Sequence, residues 1–169
     1  SLDASIRIAA KIKQAGKKMA VTMSHRFDQD KTTLRRELHS GSYGTLDYLA
    51  MRFTCDCRKF ASWGRFRHEI ADPLLVEGAV HHLDILADMA GAKCDTIYAQ
   101  TWKPRWGEYA GDSQALITMQ FENGVPAFYE GAKTNAVGIN CWEQEYIRAE
   151  CERAVDAHTG AELYRTPLE

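Results

Sequence analysis

The 169-residue chain lacks a charge surplus of either sign: 21 Lys and Arg stand against 23 Asp and Glu, a formal net charge of −2 at pH 7. Without a basic excess there is no electrostatic footprint for a phosphate backbone or an anionic bilayer, so neither nucleic acid nor membrane is expected as a partner. The clusters "KIKQAGKK" and "RKFASWGRFR" are short and interrupted, and read as local surface. Long apolar runs are missing too. Nothing approaches the roughly 20 residues of a membrane span, and the first residues hold no signal-peptide hydrophobic stretch. No G-x-G-x-x-G occurs, so the chain shows no dinucleotide fingerprint of its own. No internal repeat or low-complexity segment appears. Five cysteines form no C-x-x-C and cannot all pair within one chain. Reduced thiols of a cytoplasmic protein are the expectation.

What is present is an ordinary globular balance, 45% hydrophobic and 26% charged, enough for one domain with a sizeable core and a small appendage. The first fifteen residues carry Ile6, Ala9, Ala10 and Ile12 in helical rhythm, with Gly16 as a stop signal. "KMAVTM" reads as a short buried strand and "SHRFDQD" as a loop. A second helix is predicted from Asp30 to about His39, ended by the "SGSYG" turn. "TLDYLAMRFTCDC" reads as a strand with Leu46, Tyr48, Ala50 and Arg52 on one face and Asp47, Leu49, Met51 and Phe53 on the other. Residues 58–72 form a long loop holding Trp63, Phe66 and His68. Asp72-Pro73 then opens a long helix, Asp as cap and Pro in the first turn, closed by Gly91. Four strands follow, in "DTIYAQTW", "SQALITMQF", "VPAFYEGAK" and "WEQEYIRAEC", with "ENG" as a hairpin turn. A last hairpin is centred on "HTG". This order predicts an α+β domain: an open, mainly antiparallel sheet with helices on one face.

The long helix carries Glu77, His81 and Asp84 at offsets of four and three, hence on one face. His82 sits beside His81, and Leu75, Val76, Ala79, Leu83 and Leu86 fill the other faces. A polar row of this kind is ordinarily a solvated face; two histidines bracketed by carboxylates are less ordinary. Such offsets can also chelate a cation, with only His25 or His68 to complete a ligand set. Because no convincing third and fourth ligand is apparent, no metal is expected.

Several segments together resemble the glucose-fructose oxidoreductase, inositol dehydrogenase and rhizopine catabolism (Gfo/Idh/MocA) oxidoreductases. "AGKKMAVTMSHRFDQDKTTLRRELHSGSYGTLDYLAMRF" is similar to the stretch leaving that family's nucleotide-binding domain. "VEGAVHHLDILADMAG" is similar to its D-x-G-x-H-x-x-D helix, and "FENGVPAFYEGAK" and "CWEQEYIRAECERA" to the sheet strands after it. The resemblance implies a C-terminal α/β domain that covers the nicotinamide of NAD or NADP, supplies much of the substrate site, and forms the oligomer through its open sheet face. It implies that residues 1–24 are a remnant, helix and strand, of an otherwise absent Rossmann domain, and that 25–169 are the substrate-binding and oligomerisation domain. The cofactor loop and catalytic lysine would lie upstream, so this stretch alone is expected to bind no cofactor and to be inactive.

Carried over residue by residue, His81 falls on the family's catalytic histidine, Glu77 where an Asp is usual, and Asp84 on its second acid. Arg26 and Phe27 match its interdomain "RF". The implied activity is NAD(P)-dependent oxidation of a sugar, polyol or related small molecule, with His81 as acid/base and Glu77 as its orienter or a substrate ligand. Asp84 is a substrate contact or a structural tie. Trp102 and Trp106, with Lys103 and Arg105, lie in a loop suited to sugar binding or to sheet-edge packing. The alternative is a non-catalytic sheet domain for dimerisation or ligand binding. Strand alternation suggests that the sheet face away from the helices meets a second copy, burying Tyr48 or Met51, Thr118 and Tyr129 in some combination.

Overall fold

The computed structural model describes residues 2–159 and 163–167. Helix α1 (Leu2–Gln14) is amphipathic, yet none of its residues is buried. A single 3-10 turn, Ser24–Phe27, leads into α2 (Gln29–His39). Strand β1 (Leu46–Thr54) is followed by a short helix α3 (Arg65–Glu69). A π-helical segment, Leu74–Ala79, runs directly into α4 (Val80–Ala90). The remaining strands are β2 (Cys94–Trp102), β3 (Gln114–Phe121), β4 (Pro126–Ala132), β5 (Tyr146–Cys151), β6 (Ala154–Thr159) and β7 (Leu163–Pro167). All seven strands form one sheet in the order β2-β3-β4-β1-β5-β6-β7. Only β1 and β4 pair in parallel; the other neighbours are antiparallel. The expected α+β class and open, mainly antiparallel sheet are therefore present. Among the described residues no helix is long and apolar enough to cross a membrane.

Strand alternation divides β1, β3, β4 and β5 into a buried and an open face. Leu49, Met51 and Phe53 of β1, Ala115, Ile117, Met119 and Phe121 of β3, Ala127 and Tyr129 of β4, and Ile147 and Ala149 of β5 are buried. They pack beneath α4 and the π segment, whose Leu74, Ala79, Ile85, Leu86 and Met89 complete the core. The opposite face presents Tyr48, Tyr98, Leu116, Thr118 and Phe128, and a groove of about 600 Å³ runs across it. Met51 and Tyr129, expected as interface candidates, belong to the helix side. Their strand phase places them with Leu49 and Ala127, so they cannot reach a partner across the open face.

Local signals explain most boundaries. Gly91 takes a left-handed conformation (φ 67°), and its N–H donates to the Ala87 carbonyl at 3.1 Å. Gly124 (φ 88°) makes the β3–β4 turn, with Asn123 Nδ2 donating to the Ala90 carbonyl at 2.9 Å and tying hairpin to helix. Four expectations need correction. Residues 18–23 form no strand and are mostly exposed, since no neighbouring strand offers their backbone a ladder. Part of the 58–72 loop winds into α3. Asp72 does not cap through its side chain; its backbone carbonyl accepts from Val76 N–H at 3.0 Å. Trp142 precedes β5 instead of beginning it. The expected final hairpin is present as β6 and β7, though its turn lies outside the described residues.

Candidate functional site

The 3-10 turn, the start of α4 and the 141–145 loop converge on a nest of histidines. His81 is half-buried on the first turn of α4, while His82 is fully buried behind it. His25 from the 3-10 turn is buried against both, its ring centroid 6.3 Å from His81 and 5.7 Å from His82. Trp142 stacks on His25 at 4.3 Å and meets the His81 ring edge-on at 5.3 Å. Burial, and the nearby His25 ring, push the His81 pKa below its ordinary value, although Glu77 and Asp84 pull the other way. Its Nδ1 is buried without a hydrogen-bond partner. A neutral imidazole with an unsatisfied nitrogen is well suited to accept a proton or to hold a ligand hydroxyl.

The orienting pair expected between Glu77 and His81 is not formed. Glu77 instead accepts hydrogen bonds from Arg67 Nε at 2.8 Å and from Lys133 Nζ. Burial alone would raise the Glu77 carboxyl, but these two cations outweigh it and hold the pKa below the usual range. Lys133, just after β4, is almost fully buried, and Gly78 makes room for it: a Cβ there would sit 3.4 Å from Lys133 Cε. Sequence reading missed Lys133. The small residue one position beyond Glu77 was the available signal.

Asp84 receives a two-pronged hydrogen bond from Arg26, through Nε at 2.6 Å and through Nη2. Arg26 Nη1 also donates to Asp88 at 3.1 Å, and Arg35 Nη1 to the other Asp88 oxygen at 2.7 Å. The "RF" loop, α2 and α4 are thus clamped together. Of the two roles weighed for Asp84, the structural tie is the one its geometry occupies. Phe27 points outward and is largely exposed. Trp106 is exposed too, with its indole N–H donating to the Thr134 carbonyl at 2.8 Å, next to Lys133 in sequence. Trp102 ends β2 at the sheet edge, away from the histidine nest in the chain order of the sheet.

Below His81 lies a buried polar layer that sequence reading did not assemble. Glu145, fully buried, faces His25, His82 and the Lys31 ammonium. Burial would raise its pKa, but these partners drive it far below the usual carboxylate range. His82 Nδ1 lies 2.8 Å from the Tyr129 hydroxyl. Burial pushes His82 down and Tyr129 up, so the ring is neutral and the phenol protonated. His82 falls where apolar residues are common in the resembled family, and nothing nearby in sequence advertised its partner Glu145, 63 positions later.

An open, mainly antiparallel sheet roofed on one face by α4 frames these residues. Residues 35–158 match the family model described as oxidoreductase family, C-terminal alpha/beta domain. The chain belongs to that family. It is 53% identical over 171 residues to an uncharacterized protein of Sinorhizobium fredii, y4oX, covering 99% of the chain and 48% of that protein. The chain therefore spans about half the length of this curated relative. Among solved structures it superposes with an oxidoreductase from Agrobacterium radiobacter in complex with NAD+, L-tartaric acid and magnesium (TM-score 0.85, 17% identity, 99% of this chain and 48% of that one). It also superposes with the WlbA dehydrogenase from Bordetella pertussis in complex with NADH and UDP-GlcNAcA (TM-score 0.84, 12% identity, 100% and 53%). An inositol dehydrogenase homolog from Azotobacter vinelandii, complexed with NADH and myo-inositol, gives a TM-score of 0.75 at 13% identity, covering 99% and 47%. At these identities the likeness establishes the fold.

Proposed function

We propose that this chain is the substrate and assembly domain of an NAD- or NADP-dependent dehydrogenase acting on a sugar, polyol or related small molecule, with His81 as the acid/base. The observation that carries the reading is the state of His81: neutral, half-buried against the His25 and Trp142 rings, with one ring nitrogen unsatisfied. The helices that follow Asp28, Gly64 and Pro73 are not preceded by a glycine-rich turn that could receive a pyrophosphate. The cofactor would be held by a nucleotide-binding domain outside this chain, and when bound it supplies the hydride acceptor.

The chain's own contribution is proton handling and positioning. His81 removes the proton from the substrate hydroxyl as the adjacent C–H is oxidised, a role for which a depressed histidine is available as base near neutral pH. Trp142 and His25 fix the ring, and Asp84 with Arg26 fixes the helix that carries it. Glu77 anchors Lys133 and Arg67 one turn before His81, so two cations stand against one carboxylate there. Residues 1–24 are assigned to the edge of the nucleotide-binding domain, which accounts for the exposed apolar side chains of α1. Two copies pairing through the open sheet face would cover Tyr98, Leu116 and Phe128.

The sequestered Glu77 carboxylate favours a second reading, a non-catalytic sheet domain that dimerises or binds a ligand. Replacing His81 by Ala in the full-length protein separates the two. Loss of an acid/base should lower kcat by about 100-fold or more, with nicotinamide cofactor affinity retained. An unchanged kcat would remove His81 from the chemistry.

A further inference from the structure

The layer beneath His81 has the makings of a metal centre. His25, His82 and Glu145 each offer one donor atom, all within 4.8 Å of one another, and all three residues are buried. Their separations are informative. His25 Nε2 lies 3.3 Å from Glu145 Oε2, and His82 Nε2 lies 3.4 Å from Glu145 Oε1. Charge-assisted hydrogen bonds run shorter, about 2.7–2.9 Å, and these contacts also miss hydrogen-bond geometry: His25 Nδ1 and Nε2 and His82 Nε2 are buried without a partner. Donors arranged tetrahedrally around an ion at about 2.0–2.1 Å stand about 3.3–3.4 Å apart. The two contacts reach different oxygens of Glu145, so one carboxylate bridges the two rings, and all three donors lie within 4.8 Å of one another.

Three further features agree. His82 Nδ1 is engaged with the Tyr129 hydroxyl at 2.8 Å, the outer hydrogen bond that orients a ligating imidazole and leaves Nε2 facing inward. Asp28 Oδ2 lies 3.2 Å from His25 Nε2 and is partly exposed, marking the side from which an ion would enter. The charge balance also suits a divalent cation. Asp28, Asp30 and Glu145 surround one ammonium, Lys31, which leaves two negative charges when both rings are neutral. Lys31 stays paired with Asp30 at 2.9 Å if an ion takes over Glu145.

We propose that His25, His82 and Glu145, with solvent completing the set, form a site for a divalent transition metal of the zinc class. Two imidazoles and carboxylate oxygens suit Zn2+ and Co2+ better than the hard cations, which prefer all-oxygen sites. The ion would be structural. It would pin the 3-10 turn, α4 and the 141–145 loop into one floor under His81, and it would sit too deep to meet substrate.

The test uses the full-length protein stripped by chelator and titrated with Co2+ and then Zn2+. One equivalent per chain is expected, with visible cobalt bands of a tetrahedral or five-coordinate nitrogen and oxygen site and with a raised Tm. His25→Gln and Glu145→Gln should each abolish stoichiometric uptake. Because the thiols of Cys55 and Cys57 lie only 3.6 Å apart, the near-ultraviolet region distinguishes a rival site. Thiolate-to-cobalt charge transfer there would overturn the assignment. So would failure of the unmodified protein to take up one equivalent, or uptake unaffected by either substitution. If a substituted protein does not fold, the cobalt spectrum and Tm shift of the unmodified protein still decide.

Discussion

At the residue scale, the histidines show how position along a helix divides chemistry. His81 and His82 are neighbours in sequence, yet one is half-buried and the other is wholly enclosed. Both are held below the ordinary histidine value, burial being the largest cause in each case. The sign of the consequence is fixed. A depressed histidine is neutral in the folded chain, so its contribution is fully present above the unfolded value of about 6.5 and is lost as pH falls through that value toward the folded one. For catalysis the same depression keeps His81 available as a base in mildly acidic solution. The acid limb of kcat/KM for the full-length enzyme should therefore have its midpoint below about pH 6.5. A midpoint at or above that value would mean that His81 is not the base.

At the scale of elements, tight contacts between backbones decide tolerance. Gly111, in the segment between β2 and β3, approaches Ala71 so closely that an added Cβ would lie 1.5 Å from the Ala71 carbonyl oxygen. Backbone cannot yield as a flexible side chain can. Gly111→Ala should therefore displace the entry to the π segment and cost more than about 2 kcal/mol, measured by denaturant unfolding. A change under about 0.5 kcal/mol would show that this approach is dispensable. The same contact marks what a sequence can and cannot announce. Strand alternation in "ALITMQF", the stop at Gly91 and the turn at Gly124 are local, and they predicted β3, α4 and the β3–β4 hairpin. "KMAVTM" has the composition of a strand, but a strand needs a neighbour, and none is supplied. Glu77 was legible as part of a polar helix row, whereas its partners Arg67 and Lys133 come from a short helix and a strand end, and only folding brings them together. His25 and His82 stood out as residues, but their meeting with Glu145 did not, because Glu145 is unremarkable within its own segment.

At the scale of the whole molecule, the sheet is covered on one side only. Tyr98, Thr118 and Phe128 line up across β2, β3 and β4 on the uncovered side, with Leu116 in the next row and Tyr48 and Arg148 at the flank, the hydroxyl and guanidinium of the last two 2.6 Å apart. Apolar residues in the centre with polar groups at the margin are the pattern of a subunit interface. Light scattering at micromolar concentration should give at least a dimer, and Phe128→Glu should shift it toward monomer with the far-ultraviolet circular dichroism spectrum unchanged. A monomer for the unmodified protein would leave this face without its proposed partner.

The strand order has a consequence in time. β1 is at the centre of the sheet, but both of its neighbours, β4 and β5, come much later in the chain. A nascent chain emerging N-terminus first at about 5–20 residues per second must hold β1 without pairing for several seconds. Residues 49–53, "LAMRF", are the most apolar part of that strand, and they wait in a state open to any other strand edge. Long-range pairing of this kind slows folding generally. The central strand that organises the finished sheet is thus the chain's most exposed liability during synthesis, and its safety depends on how soon "PAFYEGA" arrives.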